Sequence, residues 1–197
     1  MLYIENSRNV KLLVDDCIEF VDAAANGDVA IVNKMLNDGM HPDTPGPKGW
    51  TALRKASVRN KYEVAFELLN RGASVDTTNY TGQTALMMAS AYNHEKMVSL
   101  LLEHGADPNI TNCGGRTALM ISASYGHLLV VGALLDAGLR IDIDKKDRIG
   151  KSALQMAIDS GHEKVVKMLE DAGAKRPATG VLGSRRKNFT NDRGVLS

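Results

Sequence analysis

The chain has 197 residues, 44% hydrophobic and 24% charged, a balance that fits one globular domain with room for a tail. Its net charge of +1 hides an asymmetry: residues 175–197 hold six lysines and arginines against Asp192 alone, which leaves the rest of the chain mildly acidic. Two cysteines, Cys17 and Cys113, argue against a disulfide framework or a four-ligand zinc site, and no run reaches the roughly 18 apolar residues of a membrane span.

The opening stretch "MLYIENSRNVKLLVDD" has no positive n-region, continuous apolar core or small-residue cleavage site, so no signal peptide is expected. The expected setting is soluble, reducing and intracellular: the cytoplasm, with the nucleus as an alternative. Val10, Leu13, Val14, Cys17, Ile18 and Val21 fall at helical spacing and predict an opening helix that caps the body of the chain. Beyond it the chain repeats itself. "TAL" occurs at Thr51, Thr84 and Thr117 and returns as "SAL" at Ser152, while Gly39, Gly72, Gly105, Gly138 and Gly173 form a second ladder with steps of 33, 33, 33 and 35. A fixed period of this length indicates stacked supersecondary units.

Each unit reads as two helices. The first begins after "TAL" and ends at Asn60, Asn93, Gly126 or Gly161, the residue types that most readily take a left-handed conformation. The second carries apolar residues at helical offsets, such as Met97, Val98, Leu101 and Leu102, or Val130, Val131, Leu134 and Leu135. A ladder glycine stops it, and a polar turn leads to the next unit. The turn at 139–151, "LRIDIDKKDRIGK", is two residues longer than its predecessors: Gly138 lies 14 residues before its "SAL", against 12 earlier. In the last unit Glu170 stands where Leu36, Leu69, Leu102 and Leu135 stand before it, which suits a helix facing water at the end of a stack.

The period, the "TAL" position and exits such as "LLEHGADPN" resemble the ankyrin repeat. The resemblance covers Phe20 to Lys175, about five units. It implies an all-α solenoid of helix-turn-helix repeats with β-turn or hairpin fingers. The expected organisation is an N-terminal capping helix region at 1–19, a repeat domain at 20–175 whose last unit is a cap, and a basic, disordered tail at 176–197. Two features depart from the family pattern. Ala52, Ala85, Ala118 and Ala153 stand where the family usually has proline, which alanine's helix propensity makes harmless. Arg54, Met87, Met120 and Gln155 replace the usual histidine, so the hydrogen bond that histidine makes is expected to be missing.

No catalytic motif is present: GxSxG, a glycine-rich phosphate loop and HExxH are all lacking. His94, His127 and His162 recur at one repeat position, about one repeat apart, which suits packing rather than a shared metal. "DIDKKD" at Asp142–Asp147 resembles a calcium loop poorly, because Lys146 and Asp147 fill positions that need a ligand and a glycine. The expectation is a non-enzyme with no cofactor and no metal.

The family implies binding through turn tips and first-helix ends on a concave face. Carried over unit by unit, those positions are Lys48, Tyr80, Cys113 and Arg148 at the tips, with Trp50, Gln83, Arg116 and Lys151 before "TAL" or "SAL". Arg59, Tyr92, Tyr125 and Ser160 end the first helices. Aromatic and arginine side chains are the types enriched at binding hot spots. The expected function is a non-catalytic protein-protein interaction module, an adaptor, regulator or masking subunit, acting as a monomer on an acidic or amphipathic segment of a partner protein. No small-molecule substrate is expected. Two alternatives stay open: a targeting or inhibitory subunit of a partner enzyme, and nucleic-acid association through the basic tail. Tyr92 and Tyr125 have a structural alternative too, stacking on each other between adjacent units. The lengthened turn has two readings, partner contact and tolerated drift.

Overall fold

Each "TAL" threonine starts a helix because its hydroxyl accepts the backbone N–H three residues on, an N-terminal cap. Thr51 takes the N–H of Arg54 at 3.4 Å, and Thr84, Thr117 and Ser152 take those of Met87, Met120 and Gln155 at 3.3 Å. The computed structural model describes residues 15–138 and 140–176. Val10, Leu13, Val14 and the tail beyond Arg176 lie outside the described residues.

The helices run in chain order as α1 (15–26), α2 (Val29–Asn37), α3 (Ala52–Val58), α4 (Tyr62–Asn70), α5 (Ala85–Ala91), α6 (Glu95–Glu103), α7 (Ala118–Tyr125), α8 (Leu128–Asp136), α9 (Ala153–Asp159) and α10 (Glu163–Asp171). Asn60, Asn93, Gly126 and Gly161 turn the chain from first to second helix with φ of 55°, 59°, 73° and 75°. The short first helices α3, α5, α7 and α9 pack side by side, and α2, α4, α6, α8 and α10 form a second layer behind them. The result is an all-α repeat solenoid, with no strand among the described residues.

The core lies between the two layers and repeats with the sequence. Ala52, Ala85, Ala118 and Ala153 are buried where first helices meet, and small side chains there let the backbones approach closely. Behind them Leu68, Leu101, Leu134 and Leu169 are completely buried at equivalent positions of the second helices. At the N-terminal end, α1 supplies Phe20, Val21, Ala23 and Ala24 to the buried set. At the other end Glu170 is half-buried and accepts a hydrogen bond from Arg176.

Polar ties join one unit to the next. His94, His127 and His162 each place Nε2 3.1 Å from a carbonyl in the preceding first helix, those of Val58, Ala91 and Ser124. The three histidines are therefore inter-unit bridges. A second ladder runs along the turns. Asp43 accepts the N–H of Ser74, Asp76 that of Asp107, Asn109 that of Asp142 and Asp144 that of Lys175, at 2.8–3.2 Å. The acceptors of this ladder advance by 33, 33 and 35 residues, whereas the donors advance by 33, 35 and 33. The two extra residues therefore sit between Gly138 and Asp142, and the register recovers at once.

Candidate functional site

The four polar turns end in tight fingers. Backbone bonds close them between Gly46 and Trp50 (2.7 Å), Asn79 and Gln83 (3.2 Å), Asn112 and Arg116 (3.0 Å), and Asp147 and Lys151 (2.9 Å). In the last three fingers one side-chain oxygen holds the turn. Asn79 accepts the N–H groups of Thr81 and Gln83, Asn112 those of Gly114 and Arg116, and Asp147 those of Ile149 and Lys151. This is the side-chain-to-backbone bonding that makes Asn and Asp turn residues. The first finger has Gly46 at that position, so it turns differently, through a 3₁₀ turn at Pro47–Gly49 with Lys48 at a left-handed φ of 58°.

Neighbouring fingers are tied tip to tip. Cys113 donates its N–H to the Thr81 carbonyl at 2.9 Å, and Arg148 donates to that of Gly114 at 3.1 Å. Glycine is required at Gly115, where φ is 77° and an added Cβ would stand 2.9 Å from the Arg148 nitrogen. The first pair of tips touches by packing instead: the Tyr80 ring lies over Gly49. Tyr80, Cys113 and Arg148 thus fall in one exposed row, with Tyr80 81% exposed.

The finger bases are less free than their sequence suggests. Arg116 pairs with Asp147 of the next finger at 3.5 Å, and Asp147 is buried. Lys151 pairs with Asp159 at 2.7 Å, and that lysine, through its hydrogen bond, is the main cause holding the Asp159 carboxyl below its ordinary pKa. The set of aromatics and cations therefore includes two carboxylates that the sequence pattern does not place there. Gln83 turns inward on its own finger, with Oε1 3.1 Å from Asn79 Nδ2.

Trp50 is flanked by cations. The Arg54 guanidinium lies 5.6 Å from its ring centroid and Lys55 Nζ 4.8 Å. Arg54 is fully buried, burial lowers its pKa, and its Nη2 donates to the Gly49 carbonyl. A residue expected only to lose the family's hydrogen bond instead makes its own tie to the finger. Its Nε and Nη1 find no acceptor among the described residues.

At the far end of the first helices, Tyr92 and Tyr125 do not stack on each other. Each lies on the histidine two residues later, at 6.1 Å from His94 and 5.6 Å from His127. Both remain more than half exposed, and Arg59 and Ser160 are exposed at equivalent places. Sequence reasoning did not single out Lys55, whose Nζ lies over the Trp50 ring one turn into α3; its equivalents Met88, Ile121 and Met156 are buried, as methionine and isoleucine in a helix suggest.

The family model of ankyrin repeats, in three copies, matches residues 20–112 and 107–177. The chain belongs to the ankyrin-repeat family. No curated protein matches it. Ankyrin repeats are generally non-catalytic modules of protein-protein interaction. In this ankyrin-repeat chain, no helix among the described residues is long and apolar enough to cross a membrane.

Proposed function

We propose that this ankyrin-repeat protein is a non-catalytic adaptor, regulator or masking subunit that binds a partner protein on the face formed by its fingers and first helices. Stacked repeats generally offer such a face as one extended surface. The observation that carries the reading is the row of finger tips held in line by the Cys113–Thr81 and Arg148–Gly114 backbone bonds. Rigid presentation of this kind lowers the ordering cost of binding. The binding unit is residues 20–175, acting as a monomer in the cytoplasm or nucleus.

The side chains proposed to meet the partner are Lys48, Arg59, Tyr80, Tyr92, Cys113, Tyr125 and Arg148, with Trp50, Gln83, Arg116 and Lys151 behind them. Because Arg116 and Lys151 already face carboxylates, the partner segment is amphipathic, with a few acidic residues for Arg148, Lys48 and Arg59. The test begins with a partner recovered by affinity capture. Arg148→Ala and Tyr92→Ala should each weaken its binding by about 1–3 kcal/mol, the range of interface anchors. Glu67→Ala, on a second helix, should leave it unchanged. Unaltered affinity in a folded Arg148→Ala/Tyr92→Ala double variant would move the site off this face.

A further inference from the structure

Second helices of this stack mostly carry charge where they meet water, and α8 does not. Position by position, Glu95 and Glu163 correspond to Leu128, Lys96 and Lys164 to Leu129, and Lys167 to Gly132. Before Asp136 the helix has no charged residue at all. A helix that is apolar all round is normally covered, yet Leu129 is 66% exposed.

The bare face opens onto a groove of about 550 Å³ between α6 and α8, reaching Met168 of α10. Gly132 helps make room for it: a Cβ there would meet only the Met168 thioether, at 3.8 Å. Leu102, Leu128, Leu129 and Ala133 supply apolar lining. Among the described residues the charges on its rim are all negative, Glu95 at one end and Glu103 and Asp136 at the other, and no lysine or arginine lines it.

We infer that this groove docks a basic amphipathic helix of a partner protein, on the face opposite the fingers and independently of them. An apolar floor with an acid at each end is complementary to leucine-like anchors between cations. Glu95 and Glu103 are eight residues apart on one helix, about 12 Å at 1.5 Å per residue. A bound helix matches that span with lysines or arginines seven or eight residues apart and apolar residues at intervening three and four spacings. A second copy of this chain is the poorer fit, because a symmetric pairing sets these carboxylates against their own equivalents.

The probe is a fluorescent helical peptide of about eighteen residues, leucine on one face and lysine on the other, titrated into the full chain by anisotropy. Saturable binding is expected. It should weaken at least about tenfold, 1.4 kcal/mol, in Leu129→Lys/Gly132→Lys, which gives α8 the residues its sister helices carry. Glu103→Lys/Asp136→Lys, at exposed positions, should weaken it as much and guards against a folding artefact in the first variant. Arg148→Ala/Tyr92→Ala should bind normally, which separates this groove from the finger face. No binding, or binding undiminished in both groove variants, overturns the inference. A wild-type dimer that Leu129→Lys/Gly132→Lys dissolves in sedimentation overturns it in favour of a second copy. Tighter peptide binding in Arg185→Glu/Arg186→Glu overturns it in favour of the chain's own basic segment.

Discussion

Asp147 does two jobs with one carboxylate. Oδ1 accepts two N–H groups of its own finger, and Oδ2 faces Arg116 of the finger before it. Asn79 and Asn112 perform the first job without a charge. Asp147→Asn should therefore cost less than about 1 kcal/mol, an ion pair half open to solvent, while Asp147→Ala should cost more, roughly 1–2 kcal/mol, because it also leaves two partly buried N–H groups of the turn without their acceptor. Equal losses in thermal melts would mean that the ion pair, not the turn, dominates. Asp76 makes the opposite case. Burial raises its carboxyl pKa most; the Asp107 N–H lowers it and the Asp107 carboxylate raises it, for a net upward shift. A carboxyl with a raised folded-state pKa stabilises the fold when protonated and loses that contribution as pH rises through the folded value. At neutral pH Asp76 is thus a small burden. Asn109, which accepts from Asp142 in the next unit, shows that an amide can serve instead. Asp76→Asn should raise the melting temperature slightly at neutral pH, with the gain vanishing as pH falls through the carboxylate range. A lower melting temperature at neutral pH would show that the charge itself is needed. Asp159 responds in reverse: its lowered carboxyl contributes stability above the unfolded value and loses it in acid.

Element identity is largely legible in the sequence. Residue partnerships are not. The step of 33 places every first helix after its "TAL", because a hydroxyl cap and a left-handed exit are local chemistry that adjacent residues encode. The fate of Arg54 is not legible, since its carbonyl partner on Gly49 exists only once the finger folds over the helix. The pairing of Arg116 with Asp147 depends on two fingers lying side by side, 31 residues apart in sequence. The same holds for Tyr92 and Tyr125: equivalent positions suggest mutual stacking, but the helix end turns each ring onto the histidine two residues later. The apolar run of α8 is visible in the sequence and reads as core; only the exposure of Leu129 among the described residues reveals it as surface.

At the scale of the whole molecule, stability in a linear stack is a sum of unit terms and nearest-neighbour terms. Leu101 and Leu169 occupy equivalent positions and are equally buried, yet α6 packs between α4 and α8, whereas α10 has only α8 beside it among the second helices. Truncation to alanine removes the same side chain from both, with a typical loss of 2–5 kcal/mol for a buried leucine. The consequences should differ in extent. Leu101→Ala weakens a unit that both halves of the stack need, so protection against amide hydrogen exchange should fall from α3 to α10. Leu169→Ala weakens a unit that can open alone, so protection should fall in α9 and α10 and persist in α3 to α6. Glu170 of α10 pairs with Arg176, and among the described residues no helix follows α10. Uniform loss of protection in Leu169→Ala would show that the stack unfolds as a single cooperative unit and that its last repeat is no separable cap.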